Sequence, residues 1–179
     1  MASQSNSEQK VDTESSKYGG TSLAKLPKLG EATEEAKAEI IALTPWLQSA
    51  TEFMVRDDGL MIHSNRQAFE EVFRSLLEKL GHKDMVAKHL LRTITRPTRI
   101  YGSHPDRKSF LYPLRIPTGS SPRAYPEHNP GAISMKLDIG KFVEFRDPLI
   151  VNGLLDFLLI RIDAADTINN KKGHNNQEG

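Results

Sequence analysis

The densest run of chemically capable side chains lies between His82 and Tyr125. Nine cations (Lys83, Lys88, Arg92, Arg96, Arg99, Arg107, Lys108, Arg115 and Arg123) meet only two carboxylates there, Asp84 and Asp106. Arg outnumbers Lys six to three in this run, and a planar guanidinium matches phosphate oxygens in bidentate geometry. The loop-like stretch from Arg96 to Lys108 adds hydroxyls at Thr98, Tyr101 and Ser103. A polyanion is therefore the expected partner, with Lys88, Arg92, Arg96, Arg99, Arg107, Lys108, Arg115 and Arg123 as the binding set. His82, His89 and His104 are expected to add charge on mild acidification. Tyr101, Phe110, Tyr112 and Tyr125 interleave with the cations; they can stack on bases of single-stranded RNA or, as aromatics in strand-like runs do, enter the core. The cations also have a competing use, pairing internally with the acidic helices of residues 31–81.

Other reactive residue types occur in patterns that define no reaction. Gly19-Gly20-Thr21-Ser22 lacks the lysine that completes a phosphate-binding loop. The six His (63, 82, 89, 104, 128 and 174) form no HExxH and no helical i, i+3 or i+4 pair of the kind that holds zinc. Ser103, His104 and Asp106 are the residue types of a catalytic triad, but sequence adjacency is not triad geometry, which arises by spatial convergence. The absence of Cys removes disulfides, thiolate metal sites and a cysteine nucleophile. No enzymatic activity, metal or cofactor is expected.

The elements that would position these residues follow from periodicity. Phe69, Val72, Phe73, Leu76, Leu77 and Leu80 fall on one helical face, with Ser64 or Asn65 as cap and Gly81 as stop. A helix is also expected over Glu31–Leu43, acidic in its first turn, with Thr44-Pro45 ending it or capping a short second helix. Phe53–His63 reads as a hairpin turning at Asp58-Gly59. A shorter helix is expected from Asp84 to about Ile94, with Met85, Val86, Leu90 and Leu91 inward. Eight of the ten prolines lie at or beyond Pro97, where strands are expected over Thr98–Tyr101, Ser109–Ile116, Ala132–Ile139, Phe142–Phe145 and Leu154–Asp163. Helices first and strands afterwards predict an α+β domain, with N-terminal helices packed on a mainly antiparallel C-terminal sheet. Residues 31–166 form that domain. Residues 1–30 read as a polar, disordered arm with Leu23, Leu26 and Leu29 in its lead-in, and residues 167–179 as a polar tail.

The 179 residues carry 24 Lys+Arg against 23 Asp+Glu, a net charge of +1. That total hides opposed blocks: −5 over residues 31–81, +7 over residues 82–125 and −3 over residues 126–166. The most apolar stretch, Leu149–Ile160, spans 12 residues and includes Asn152 and Asp156, whereas a membrane-crossing helix needs about 20. Any membrane contact is expected to be peripheral. Met1-Ala2-Ser3-Gln4 lacks the pattern of a signal peptide, so secretion by that route is not expected.

This plan resembles the small matrix proteins of plant-infecting rhabdoviruses: a length near 180, a Ser-rich arm (Met1 to Ser22), one α+β domain, an Arg-rich middle (Lys83 to Arg123), no Cys and no span. The resemblance implies a non-enzymatic structural protein of the virion and host cytoplasm. Such a protein would associate with itself through its arm or a loop, condense viral nucleocapsid or RNA, and touch anionic membrane and a glycoprotein tail. Ser121-Pro122-Arg123-Ala124-Tyr125 and Tyr112-Pro113-Leu114-Arg115 depart from the short budding signals of enveloped viruses, which puts recruitment of a budding machine in doubt. The alternative from the residues alone is an RNA-binding protein proper, such as a small capsid protein or an RNA-binding suppressor.

Overall fold

A computed structural model describes residues 26–84, 87–93, 97–102, 107–131 and 133–162. In chain order the elements are β1 (Lys28–Glu31), α1 (Glu34–Ala42), α2 (Thr44–Ser49), β2 (Phe53–Val55), β3 (Leu60–His63), α3 (Arg66–Lys79), β4 (Ala87–Thr93), β5 (Thr98–Ile100), β6 (Ser109–Arg115), β7 (Arg123–Pro126), β8 (Met135–Lys136), β9 (Lys141–Phe145), β10 (Leu149–Asn152) and β11 (Asp156–Arg161).

The strongest periodicity in the chain becomes its longest described helix. Asn65 caps α3, its side-chain oxygen accepting from the Ala68 amide at 3.0 Å, and Phe69, Phe73, Leu76 and Leu77 are buried. Gly81 closes the helix with φ 71°, a conformation that costs other residues energy. Helix α1 starts later than its acidic residues suggest. Glu31 is taken by β1, where it faces Lys141 of β9, and Thr33 caps the helix by accepting from the Ala36 amide at 3.2 Å. Pro45 occupies the first turn of α2, but the cap position is Leu43 rather than Thr44. The hairpin of β2 and β3 turns at Asp58-Gly59 as expected, with Gly59 at φ 81° and Asp58 accepting from the Leu60 amide at 3.1 Å.

The strands form two sheets in which the pairs are antiparallel. The larger runs β1-β9-β6-β11-β4-β3-β2 and the smaller β5-β10-β7-β8. The helices cover one face of the large sheet, where Ala36, Ile40, Leu47, Phe69, Phe73 and Leu76 pack on Leu90, Tyr112, Leu158 and Ile160. The other face packs on the small sheet through Leu91, Leu111, Val143, Phe157 and Leu159 against Ile100, Ala124, Met135, Leu149 and Val151. The large sheet is thus the middle layer of an α+β fold. Among the described residues no helix is long and apolar enough to cross a membrane.

Of the helix expected from Asp84 to Ile94, the described stretch Ala87–Thr93 is instead β4, while Met85, Val86 and Ile94 lie outside the described residues. Leu90 points to the helices and Leu91 to the small sheet. Adjacent apolar residues that serve opposite faces suit a strand buried on both sides, whereas a helix would need them on one face. Strand β1 places Lys28 to Gly30, expected as part of the arm, within the large sheet, with Lys28 opposite Glu144. Among the described residues of the run expected as a strand over 132–139, Met135–Lys136 alone form one. Strands β7 and β10 were not among the expected elements. Each is four residues long, and prolines flank them at Pro122 and Pro148.

Candidate polyanion-binding face

Side chains alternate across the small sheet. Thr98 and Ile100 of β5, Ala124 and Pro126 of β7, Met135 of β8, and Leu149 and Val151 of β10 are buried. Their neighbours Arg99, Arg123, Tyr125, Lys136, Ile150 and Asn152 therefore lie on the outer face. The registers place Arg99, Ile150 and Tyr125 in one cross-strand row, and Asn152, Arg123 and Lys136 in the next. The buried residues of the helices all fall in the core on the far side of the large sheet, so among the described residues no helix packs on this outer face. An antiparallel sheet tolerates such an arrangement because one face can remain solvated.

One row thus sets Arg99 and Tyr125 on either side of Ile150, and the other sets Asn152 and Lys136 on either side of Arg123. The Arg99 guanidinium stands 4.6 Å from the ring centroid of Tyr101, which is 45% exposed just beyond β5. Glu127 forms an ion pair with Arg99 at one margin of the face. At the other margin Lys136 holds Asp138 at 2.7 Å, and Lys136 and Lys141 together keep that carboxyl below its ordinary range. Among the described residues Arg123 is bound by neutral groups: Nε donates to Ser134 Oγ at 2.8 Å and a terminal nitrogen donates to the Ser134 carbonyl at 3.2 Å. Its charge is positioned with no carboxylate partner among the described residues.

The remaining cations of the expected set disperse. Arg92 and Arg115 converge on Asp156, which is 1% exposed; each Nε lies 2.6 Å from a different carboxylate oxygen. Arg92 also reaches the Leu47 carbonyl at 3.3 Å and lies 4.0 Å from the Phe53 ring centroid. These two side chains tie strands β4, β6 and β11 to α2. Lys108 pairs with Glu144 at 3.0 Å. Lys88 sits on the helix side and donates to the Lys83 carbonyl at 2.9 Å; with Glu70, Arg74, Leu77 and Lys83 it lines a mixed-charge depression of about 140 Å³. Arg107, half-buried, lies just before β6 and has no carboxylate partner among the described residues. Arg96 lies outside the described residues, as do Ser103, His104 and Asp106.

Two expectations change in detail. Internal pairing does occur: Lys83 pairs with Glu78 of α3 at 2.7 Å as expected, but the other carboxylates come from the last third of the chain (Glu127, Glu144 and Asp156). His82 does not gain charge on mild acidification, because burial pushes its imidazole down to about 4. Of the four aromatics, Tyr112 is core and Phe110 packs beside it, whereas Tyr101 and Tyr125 belong to the outer face. Lys136 lies in a stretch of net negative charge, residues 126–166, which conceals it in the sequence. The alternation in Arg123-Ala124-Tyr125-Pro126 and Leu149-Ile150-Val151-Asn152 was the signal that could have revealed the face.

No family model matches this chain, and no curated protein does. Among solved structures it is similar to a Pseudomonas putida prolyl-4-hydroxylase at 12% identity, covering 77% of this chain and 93% of that one, with a TM-score of 0.42. That degree of likeness carries no conclusion about activity.

Proposed function

We propose that this chain is a non-enzymatic structural protein that binds single-stranded RNA on the outer face of its small sheet. The supporting observation is the pair of cross-strand rows that gather Arg99, Arg123, Lys136 and Tyr125, with Tyr101 against Arg99, on a face on which no described helix packs. Cations along such a face follow a phosphate backbone, and each base stacked on an aromatic ring contributes about 1–3 kcal/mol whatever its sequence. Binding of this kind suits a protein that packages or condenses ribonucleoprotein. Its wider setting would be that of the matrix proteins it resembles, in which the same protein associates with itself and joins nucleocapsid to anionic membrane.

Fluorescence anisotropy with a labelled single-stranded RNA at two salt concentrations tests the proposal, with flotation on vesicles containing anionic lipid run beside it. The full chain should bind RNA at low salt. Replacing Arg99, Arg123 and Lys136 with Ser should weaken binding at least about tenfold and lower the salt slope by about 2, since each phosphate neutralised on a single strand contributes about 0.7. An RNA affinity unchanged by the triple substitution would overturn the proposal. So would vesicle binding without RNA binding, which would assign the face to lipid.

A further inference from the structure

The large sheet ends on β2, whose outward edge pairs with no strand among the described residues. Ser64 donates to the Glu52 carbonyl at 2.8 Å and Arg56 donates to the Leu60 carbonyl at 2.7 Å, so residues 52 and 56 direct their backbone groups toward β3. Alternation then turns the backbone groups of Phe53 and Val55 away from the sheet. The Phe53 amide is engaged locally with the Thr51 carbonyl at 2.8 Å; the Val55 amide and both carbonyls face outward. Edge strands are commonly protected by Lys, Pro or a bulge. The opposite edge, β1, carries Lys28 directly after Pro27, whereas the three residues of β2 are Phe53, Met54 and Val55, with Met54 58% and Val55 70% exposed.

The residues that flank this strand make it self-complementary. In Glu52-Phe53-Met54-Val55-Arg56, an antiparallel partner of the same sequence centred on Met54 brings Glu52 opposite Arg56 and Phe53 opposite Val55. We infer that two copies of this chain associate by pairing their β2 strands antiparallel about a two-fold axis at Met54. The Val55 amide of each copy donates to the Phe53 carbonyl of the other. Met54, Glu52 and Arg56 fall at non-hydrogen-bonded positions, where facing side chains come closest. Both charged side chains are accessible, Glu52 at 55% and Arg56 at 40%. Each has an intramolecular neighbour, His63 at 3.9 Å from Glu52 and Asp58 at 2.9 Å from Arg56, and the cross-copy pair is added to these contacts. An isologous contact of this type closes as a dimer and joins two large sheets into one.

Sedimentation velocity on the nuclease-treated full chain, over a concentration series without RNA, tests the inference independently of the RNA-binding reading. A reversible dimer is expected. Glu52→Arg and Arg56→Glu should each weaken dimerisation about tenfold, equivalent to about 1.4 kcal/mol, and the double substitution E52R/R56E should restore it. Val55→Pro removes the outward amide without touching a bond to β3 and should abolish the dimer, with the thermal transition reporting that the chain still folds; Val55→Lys replaces it should the proline variant unfold. A full chain that stays monomeric at the highest concentration overturns the inference. A dimer indifferent to both the charge reversals and the residue 55 substitution overturns it too, by placing the contact elsewhere.

Discussion

The imidazole of His82 shows how burial can invert an expectation drawn from residue type. Its Nε2 lies 2.9 Å from the Tyr112 hydroxyl, its ring centroid is 5.0 Å from that of Phe110, and its Nδ1 has no hydrogen-bond partner among the described residues. Desolvation of the charged form lowers its proton affinity from 6.5 to about 4, and the same burial pushes the Tyr112 phenol up. Between those two pH values the unfolded chain holds a proton that the folded chain lacks. Stability is therefore complete above about pH 6.5 and falls as the pH drops toward 4. His89 is lowered in the same direction, by burial first and then by Arg161, Arg56 and Arg66. Urea unfolding should show a loss of about 2 kcal/mol between pH 7 and pH 4.5 for the natural chain. His82→Gln, which keeps a partner for Tyr112 but cannot take up the proton, should show a visibly flatter dependence. Equal slopes for the two proteins would mean that His82 is not the titrating group.

Elements were legible where one face of one element carries the burial. Helix α3 is such a case, with its apolar residues recurring every three or four positions and its two ends marked by Asn65 and Gly81. The cap also supports a prediction at this scale. Asn65→Ala removes the acceptor for the Ala68 amide and should cost about 1 kcal/mol, measured as a lowered denaturant midpoint with unchanged slope. Strand β4 was illegible because it is buried on both faces, and periodicity cannot separate such a strand from a short helix. Strands β7 and β10 were hidden for another reason: four-residue runs beside prolines carry little local signal, and their pairing depends on residues far away in the chain. The candidate face suffered most from this loss, since three of its four strands (β7, β8 and β10) were missed or shortened.

For the whole molecule, the decisive fact is how the cations of residues 82–125 are divided. Arg92 and Arg115 are used internally on Asp156, while Arg99 and Arg123 reach the open face. Stability and RNA binding should therefore separate by mutation. Asp156→Asn removes the carboxylate charge that two partly buried guanidinium groups share, and should cost about 3 kcal/mol in urea unfolding. RNA affinity measured well below the transition should remain that of the natural chain; a parallel loss of both would show that the two sets of cations are not independent. The sequence by itself determined the α+β class, the position and ends of α3, the β2–β3 turn and the concentration of positive charge between His82 and Tyr125, because these depend on periodicity, turn chemistry and composition within short spans. Only the tertiary structure decided which of those charges remain available. The carboxylates that neutralise or spare them, Glu127, Glu144 and Asp156, arrive by strand pairing across tens of residues, and no local pattern records that register.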